Sequence, residues 1–236
     1  KVHRRLTRDS LIEIGDPFQP FIYGQVSFPV KMALKFNISL IMDGENGEEE
    51  YGGAKSTSNK SFSHKDEIKY WFSGFEAKKW LKKGYTKKEI DIYMPPSVDE
   101  ILSKKINRQF WSYYQFWDPQ EHYYYASKNT GFKSNPDGRS EGTYSKYASL
   151  DDAIDGFHFY FMFLKFGIGR ATSDAAHEIR DKHLTREEAV KLVKKYDGEF
   201  PKKYYKQFLE YCNINEKEFH KICDIWRSDH LWARKK

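Results

Sequence analysis

Ile38-Ser39-Leu40-Ile41-Met42-Asp43-Gly44-Glu45-Asn46-Gly47-Glu48-Glu49-Glu50-Tyr51-Gly52-Gly53 is the stretch on which the reading of the fold turns. The apolar run from Ile38 to Met42, bounded by turn formers, predicts a buried strand. It opens directly into a loop that holds four glycines and four glutamates. In an open α/β sheet, ligands sit beyond the carboxyl ends of the strands, so such a loop is placed for chemistry. Glycines admit positive φ and close approach of a ligand. Carboxylates beside them suit a hard cation such as magnesium, held by one or two carboxylates plus substrate phosphates. The plainer alternative is a solvated acidic turn. Glu45, Asn46, Glu48 and Glu50, with Gly44 and Gly47 between them, are therefore the first candidate site.

Upstream, apolar positions at Val2, Leu6, Leu11 and Ile14 among basic residues predict a partly exposed helix, stopped at Gly15-Asp16-Pro17. Pro17 and Pro20 stiffen a loop in which Gln19 lies between Phe18 and Phe21. Phe28 to Phe36, with Pro29 near its first turn, reads as a second helix feeding the strand. No second strand is evident. Downstream, the polar run Ala54 to Ser61 reads as a flexible loop, a lid over the acidic motif. A domain boundary follows: residues 1–60 as α/β, residues 61–236 as mainly helical. Thr86 to Glu89 and Ser97 to Glu100 match the capping box, and Pro95-Pro96 separates the helices they open. Thr185 opens a helix running to about Tyr196 and stopped at Asp197-Gly198. Asn215 to Glu218 opens the last, with Phe219, Ile222, Cys223 and Trp226 on one face.

The totals narrow the class. The chain has 236 residues, 39% hydrophobic, 17% aromatic and 31% charged. That is enough for one large domain or two small ones. No apolar run approaches the ~18 residues of a membrane span, and no signal-peptide pattern opens the chain. The two cysteines, Cys212 and Cys223, are too far apart for a CxxC pair, which fits a reducing cytoplasm. The net charge of +6 favours anionic partners, but the basic residues are scattered among Glu and Asp. A nucleotide-sugar explains the balance as well as nucleic acid does, and no clustered basic-aromatic strip argues for the latter.

Two further segments carry chemistry. Gly167-Ile168-Gly169-Arg170 is a glycine turn with a guanidinium, and Ser173 reads as the N-cap of a helix starting near Asp174. A helix N-terminus with a neighbouring arginine suits a phosphate, whereas the plainer reading pairs Arg170 with a surface carboxylate. The aromatic band Trp111, Tyr113, Tyr114, Phe116, Trp117, Tyr123, Tyr124 and Tyr125 could stack on sugars or bases, although core packing accounts for most such residues. His122 beside Glu121 could form an acid–base pair or be a structural histidine. An ordered His230-Leu231-Trp232 so near the C-terminus requires a docking partner.

Taken together, these strings resemble the N-acetyl sugar amidotransferases, of the PP-loop ATP pyrophosphatase superfamily. The acidic loop is similar in layout to that of asparagine synthetases. Gly15-Asp16-Pro17-Phe18-Gln19-Pro20-Phe21, Trp117-Asp118-Pro119-Gln120-Glu121-His122-Tyr123-Tyr124-Tyr125, Gly167 to Thr172 and His230-Leu231-Trp232 carry the rest of the likeness. The resemblance implies a partial PP-loop (adenine nucleotide α-hydrolase-like) sheet followed by a helical region. It implies ATP and Mg2+ as cofactors, with catalytic roles for Glu45, Asn46, Glu48 and Glu50 and magnesium at Glu45 and Glu48. Gly44, Gly47, Arg170, Thr172 and Ser173 would bind the cofactor. Gln19, Tyr51, His122, Tyr124, His230 and Trp232 would meet a nucleotide-sugar. The implied reaction replaces the oxygen of an N-acetyl group by nitrogen, giving an acetamidino sugar for surface polysaccharide or flagellin. Ammonia would come from a histidine-biosynthesis-type glutaminase with its cyclase-like companion. The family's Ser-Gly-Gly-x-Asp-Ser phosphate loop is not in these residues, so the chain reads as the C-terminal portion of a longer protein. A tRNA-modifying PP-loop enzyme and a non-catalytic interaction module derived from such an enzyme are the rival readings.

Overall fold

The computed structural model describes residues 1–47, 50, 72 and 74–233. Glu48, Tyr51, the proposed lid and the expected boundary at residue 60 lie outside them. Contacts divide the chain into two compact units, one of residues 1–6 and 19–116, the other of residues 7–18 and 117–236.

In the first unit, α2 (Gln19–Phe36) runs into β1 (Leu40–Asp43). The helix expected from Phe28 is one 18-residue helix that begins at Gln19 and carries Pro29 inside it. Pro20 already occupies its first turn, where a missing N–H costs nothing, while Pro29 removes the bond that the Gln25 carbonyl would accept. Gln19 is thus a buried helical residue rather than part of a loop. After β1 come a 3-10 turn (Ala77–Lys83), α3 (Lys87–Ile90), a second 3-10 turn (Asp91–Tyr93) and α4 (Val98–Ser103). Both short helices close the capping boxes expected at Thr86/Glu89 and Ser97/Glu100. β2 (Asn107–Phe110) then pairs with β1 in parallel, from Leu40 opposite Asn107 to Asp43 opposite Phe110. Sequence reading missed it because Asn107, Arg108 and Gln109 carry no apolar pattern.

β1 is also not the buried strand expected. Its residues alternate, with Leu40 and Met42 exposed and Ile41 and Asp43 half-buried. Side chains leave a strand on alternate faces, and α2 packs against β1. The core of this unit gathers Leu6, Tyr23, Val26, Trp80, Tyr85 and Ile90.

The second unit is helical: α5 (Pro119–Asn129), α6 (Asp155–Phe166), α7 (Arg170–Arg180), α8 (Arg186–Tyr196), α9 (Tyr205–Cys212) and α10 (Glu216–Trp226). α1 (Val2–Ile14) has the bounds its apolar spacing predicts, and its second half belongs to this unit. Phe157, Phe161 and Leu164 recur at helical spacing on α6 and pack against Leu11, Phe208, Phe219 and Ile222. Phe157 stacks on Phe208 with ring centroids 3.8 Å apart. The expected apolar face of α10 forms: Phe219, Ile222 and Cys223 are buried and Trp226 packs against them. Burial pushes the Cys223 thiol up to about 12, so it is a core residue without nucleophilic character. Among the described residues no helix is long and apolar enough to cross a membrane.

Candidate functional site

Parallel pairing sets the geometry of the first candidate site. Because β1 and β2 run the same way, the segments that leave their carboxyl ends emerge on one side of the sheet. From β1 comes Gly44-Glu45-Asn46-Gly47, and from β2 the 3-10 turn Trp111–Tyr113 followed by Tyr114. Asn46 is buried and its Nδ2 donates to Ser112 Oγ at 3.0 Å, tying one segment to the other. Glu50 N donates to the Asn46 carbonyl at 3.0 Å, so this residue also starts a helical turn. Glu45 is exposed and its Oε2 accepts from Gln25 Nε2 at 3.1 Å. Trp111, Tyr113 and Tyr114 are 45%, 50% and 53% exposed, well beyond what core packing leaves open. The expectation for the aromatic band is mostly core, and these three residues depart from it.

Beneath this edge lies an ion pair that sequence reading missed. Arg108 grips Asp43 with two bonds, Nε to Oδ2 at 2.5 Å and Nη2 to Oδ1 at 3.0 Å, while Nη1 donates to the Val26 carbonyl at 2.9 Å. The fork thus clamps β1, β2 and α2 together. Nothing local in the sequence signals it, because the partners are 65 residues apart.

The fit to magnesium is poor among these residues. Asp43 is committed to Arg108, Glu45 stands at the surface, and Glu48 lies outside the described residues. Among the described residues no group of three His, Cys, Asp or Glu could hold a metal ion. What the edge does offer is a carboxylate, a buried amide and exposed aromatic faces. That combination suits a ring bearing hydroxyl groups.

The glycine turn differs from expectation. Gly167 ends α6 in the left-handed region, and α7 begins at Arg170 with Gly169 as its N-cap, four residues before the cap expected at Ser173. Ser173 is inside the helix and donates back to the Gly169 carbonyl at 3.4 Å. The donors a phosphate would use are taken. Asp197 accepts from Gly169 N at 2.9 Å, Thr172 N at 3.2 Å and Thr172 Oγ1 at 2.6 Å. Arg170 pairs with Asp174 at 2.9 Å and lies over the Phe159 ring, the plainer of its two readings. A carboxylate from the chain itself thus fills the positive end of this helix.

The segment Trp117 to Tyr125 forms a third cluster. Asp118 caps α5, accepting from Gln120 N and Glu121 N at 3.0 Å each, and it also holds His183 Nε2 at 3.0 Å. Trp117 lies 4.8 Å from the His177 ring and 6.3 Å from that of His122. His177 is paired with Asp181 at 2.7 Å. Burial raises the Asp181 carboxyl although His177 opposes it, and burial beside Asp174 raises Glu178. His122 has Trp117 as its ring neighbour, and Tyr124 is exposed, accepting from Gln120 at 3.2 Å. Asp118-Pro119, a capping residue before a first-turn proline, was a legible signal for this helix start; the histidines' partners were not.

In the terminal motif, Trp232 packs on α6. Trp232 Nε1 donates to the Leu164 carbonyl at 2.8 Å and its ring meets Phe163 at 5.0 Å. Both contacts satisfy the end of α6, while His230 stays exposed. Gly15 and Asp16 are likewise structural. Asp16 Oδ1 lies 2.9 Å from His158 Nδ1 and accepts from Phe18 N at 2.9 Å.

Comparison with known families identifies part of this unit. Residues 141–236 match the family model described as LPS biosynthesis protein WbpG-like, C-terminal domain. The match covers α6 to α10 and relates that region to proteins of LPS biosynthesis. No curated protein matches the chain.

Proposed function

We propose that this chain serves an ATP-dependent amidotransfer in the building of a surface polysaccharide, and that its part is to hold the nucleotide-linked sugar. The observation that carries this reading is the juxtaposition, at the carboxyl ends of β1 and β2, of Glu45 and Asn46 with the exposed Trp111, Tyr113 and Tyr114. The similarity of residues 141–236 to LPS-biosynthesis proteins supports the substrate class.

In the proposed reaction the N-acetyl oxygen attacks ATP and pyrophosphate leaves, giving an adenylated imidate. Ammonia then displaces AMP, so that nitrogen stands where oxygen stood. An amide oxygen is a very poor leaving group, and adenylation makes it a good one. Ammonia is supplied by a separate glutaminase of the histidine-biosynthesis type with its cyclase-like companion. The described residues do not make a magnesium site, and no step here is routed through one. Their work is orientation: the aromatic faces stack on sugar or base, Glu45 accepts from a hydroxyl, and Asn46, fixed by Ser112, keeps the acidic loop beside them.

Calorimetry with UDP-N-acetylglucosamine tests the binding step. Trp111→Ala and Glu45→Gln should each weaken affinity by about 10-fold, the ~1.4 kcal/mol of one stacked ring or one charged hydrogen bond. Unchanged affinity in both variants would remove this edge from the function. Pyrophosphate release with ATP, ammonia and the same sugar tests the chemistry.

A further inference from the structure

In the helical unit, the loop after α5, the turn before α6 and the turn before α9 border a half-open cavity of about 630 Å3. That lies within the ~300–1,000 Å3 usual for small-molecule sites. We propose that this cavity binds a neutral, polyhydroxylated ring, a carbohydrate without phosphate. It is a site that the proposed function does not use.

The cavity is built in advance. Asn135 N donates to the Lys146 carbonyl at 2.8 Å, and Ser140 N to the Ser145 carbonyl at 2.9 Å. Ser140 Oγ reaches the Ala148 carbonyl at 2.6 Å. Glu199 then clamps the loop from the far side, taking both guanidinium arms of Arg139 at 2.6 and 2.9 Å and Gly142 N at 2.9 Å. A wall tied at this many points loses little freedom when a ligand enters.

The charges exclude an anion as the preferred ligand. Three cations line the space, Lys133, Arg139 and Lys203, against three carboxylates, Asp137, Glu141 and Asp152. Arg139 is consumed by Glu199, and Lys203 by Asp137 at 2.7 Å. Glu141 meanwhile accepts from Lys203 N at 3.0 Å. Lys133 remains, set beside Glu141 and Asp152, so a phosphate would find no surplus of positive charge.

The remaining groups match a pyranose. Asp152 spends Oδ1 on Ile154 N, and Asn135 spends Oδ1 on Asp137 N. Each residue keeps hydrogen-bonding capacity of the kind that vicinal hydroxyls satisfy. Tyr204 and Leu150, both 39% exposed, supply the apolar surface on which one face of a sugar ring rests.

Titration calorimetry and saturation-transfer NMR on the whole chain test this, with N-acetylglucosamine and methyl glucoside as neutral probes and inorganic phosphate and UDP as anionic ones. A neutral probe should bind with a dissociation constant of ~1 mM and be insensitive to either anion. Asp152→Asn and Tyr204→Ala should each weaken it at least ~10-fold. Asn135→Ala, a change at a half-buried turn position, should weaken binding likewise and gives an independent reading if either of those fails to fold. Trp111→Ala should leave this affinity unchanged, which separates the site from that of the proposed function. Absence of neutral-sugar binding, displacement by phosphate, or affinity untouched by the folded variants would each overturn the proposal.

Discussion

Asp16 and His158 form a largely buried ion pair, 2.9 Å apart. The His158 imidazolium lowers the Asp16 carboxyl against the effect of burial, and Asp16 holds His158 above its ordinary value of 6.5 despite the same effect. The signs set a window. A depressed carboxylate stabilises the fold above its ordinary 3.8 and loses that contribution as pH falls through the folded value. A raised histidine stabilises it below 6.5 and loses that contribution as pH rises through the folded value. Asp16→Asn should therefore cost about 3 kcal/mol at pH 5, and the difference from wild type should shrink at pH 9. Urea denaturation at the two pH values measures it; an equal gap at both would mean the pair is not charged. One residue earlier, Gly15 has φ +62°, and a Cβ there would come 2.5 Å from the Trp226 ring. Gly15→Ala combines left-handed strain with overpacking and should lower stability by about 2–4 kcal/mol, read from the same denaturation curves.

At the scale of elements, four helix starts are closed from within and that of α7 from afar. Thr86, Ser97, Thr185 and Asn215 each cap their helix and receive a glutamate three residues on, so four residues of sequence contain the whole device. α7 has no such signal. Its cap is a backbone glycine, and Asp197, which sequence reading took only as a helix stop, supplies the acceptor from 28 residues away. Asp197→Ala should destabilise the fold by about 2 kcal/mol, lowering the thermal midpoint, because three donors lose one carboxylate. If the midpoint does not move, water satisfies those donors equally well. Arg170→Ala, by contrast, should change stability without changing affinity for phosphate-bearing ligands, since its partners are Asp174 and the Phe159 ring.

Over the whole molecule, the two units solve burial differently. The helical unit closes one aromatic core around Phe157, Phe161 and Phe219. The other carries a parallel pair of strands with apolar side chains toward solvent, Ile38 at 49%, Leu40 at 49% and Met42 at 41% exposure. Parallel sheets are ordinarily covered on both faces, and exposed apolar side chains promote association. Leu40→Lys combined with Met42→Lys should raise the concentration at which the chain self-associates by about 10-fold, as followed by sedimentation. An unchanged association profile would place the contact elsewhere.

The sequence by itself determined the α/β-then-helical order, the bounds of α1, the four capped helix starts and the apolar face of α10. Each rests on residues within a turn or two of one another, where spacing and capping chemistry act without the rest of the chain. Only the tertiary structure decided that Asn107 to Phe110 is a strand, since a polar segment becomes one when a partner offers its backbone. The same holds for the site. The acidic loop was legible, but its union with the aromatic turn depends on Asn46 meeting Ser112 across 66 residues. It likewise took the folded chain to bring Asp197 to the start of α7 and to make the glycine turn a closed helix end rather than an open anion site. Local rules find the groups, and long-range pairing decides which of them remain available to a ligand.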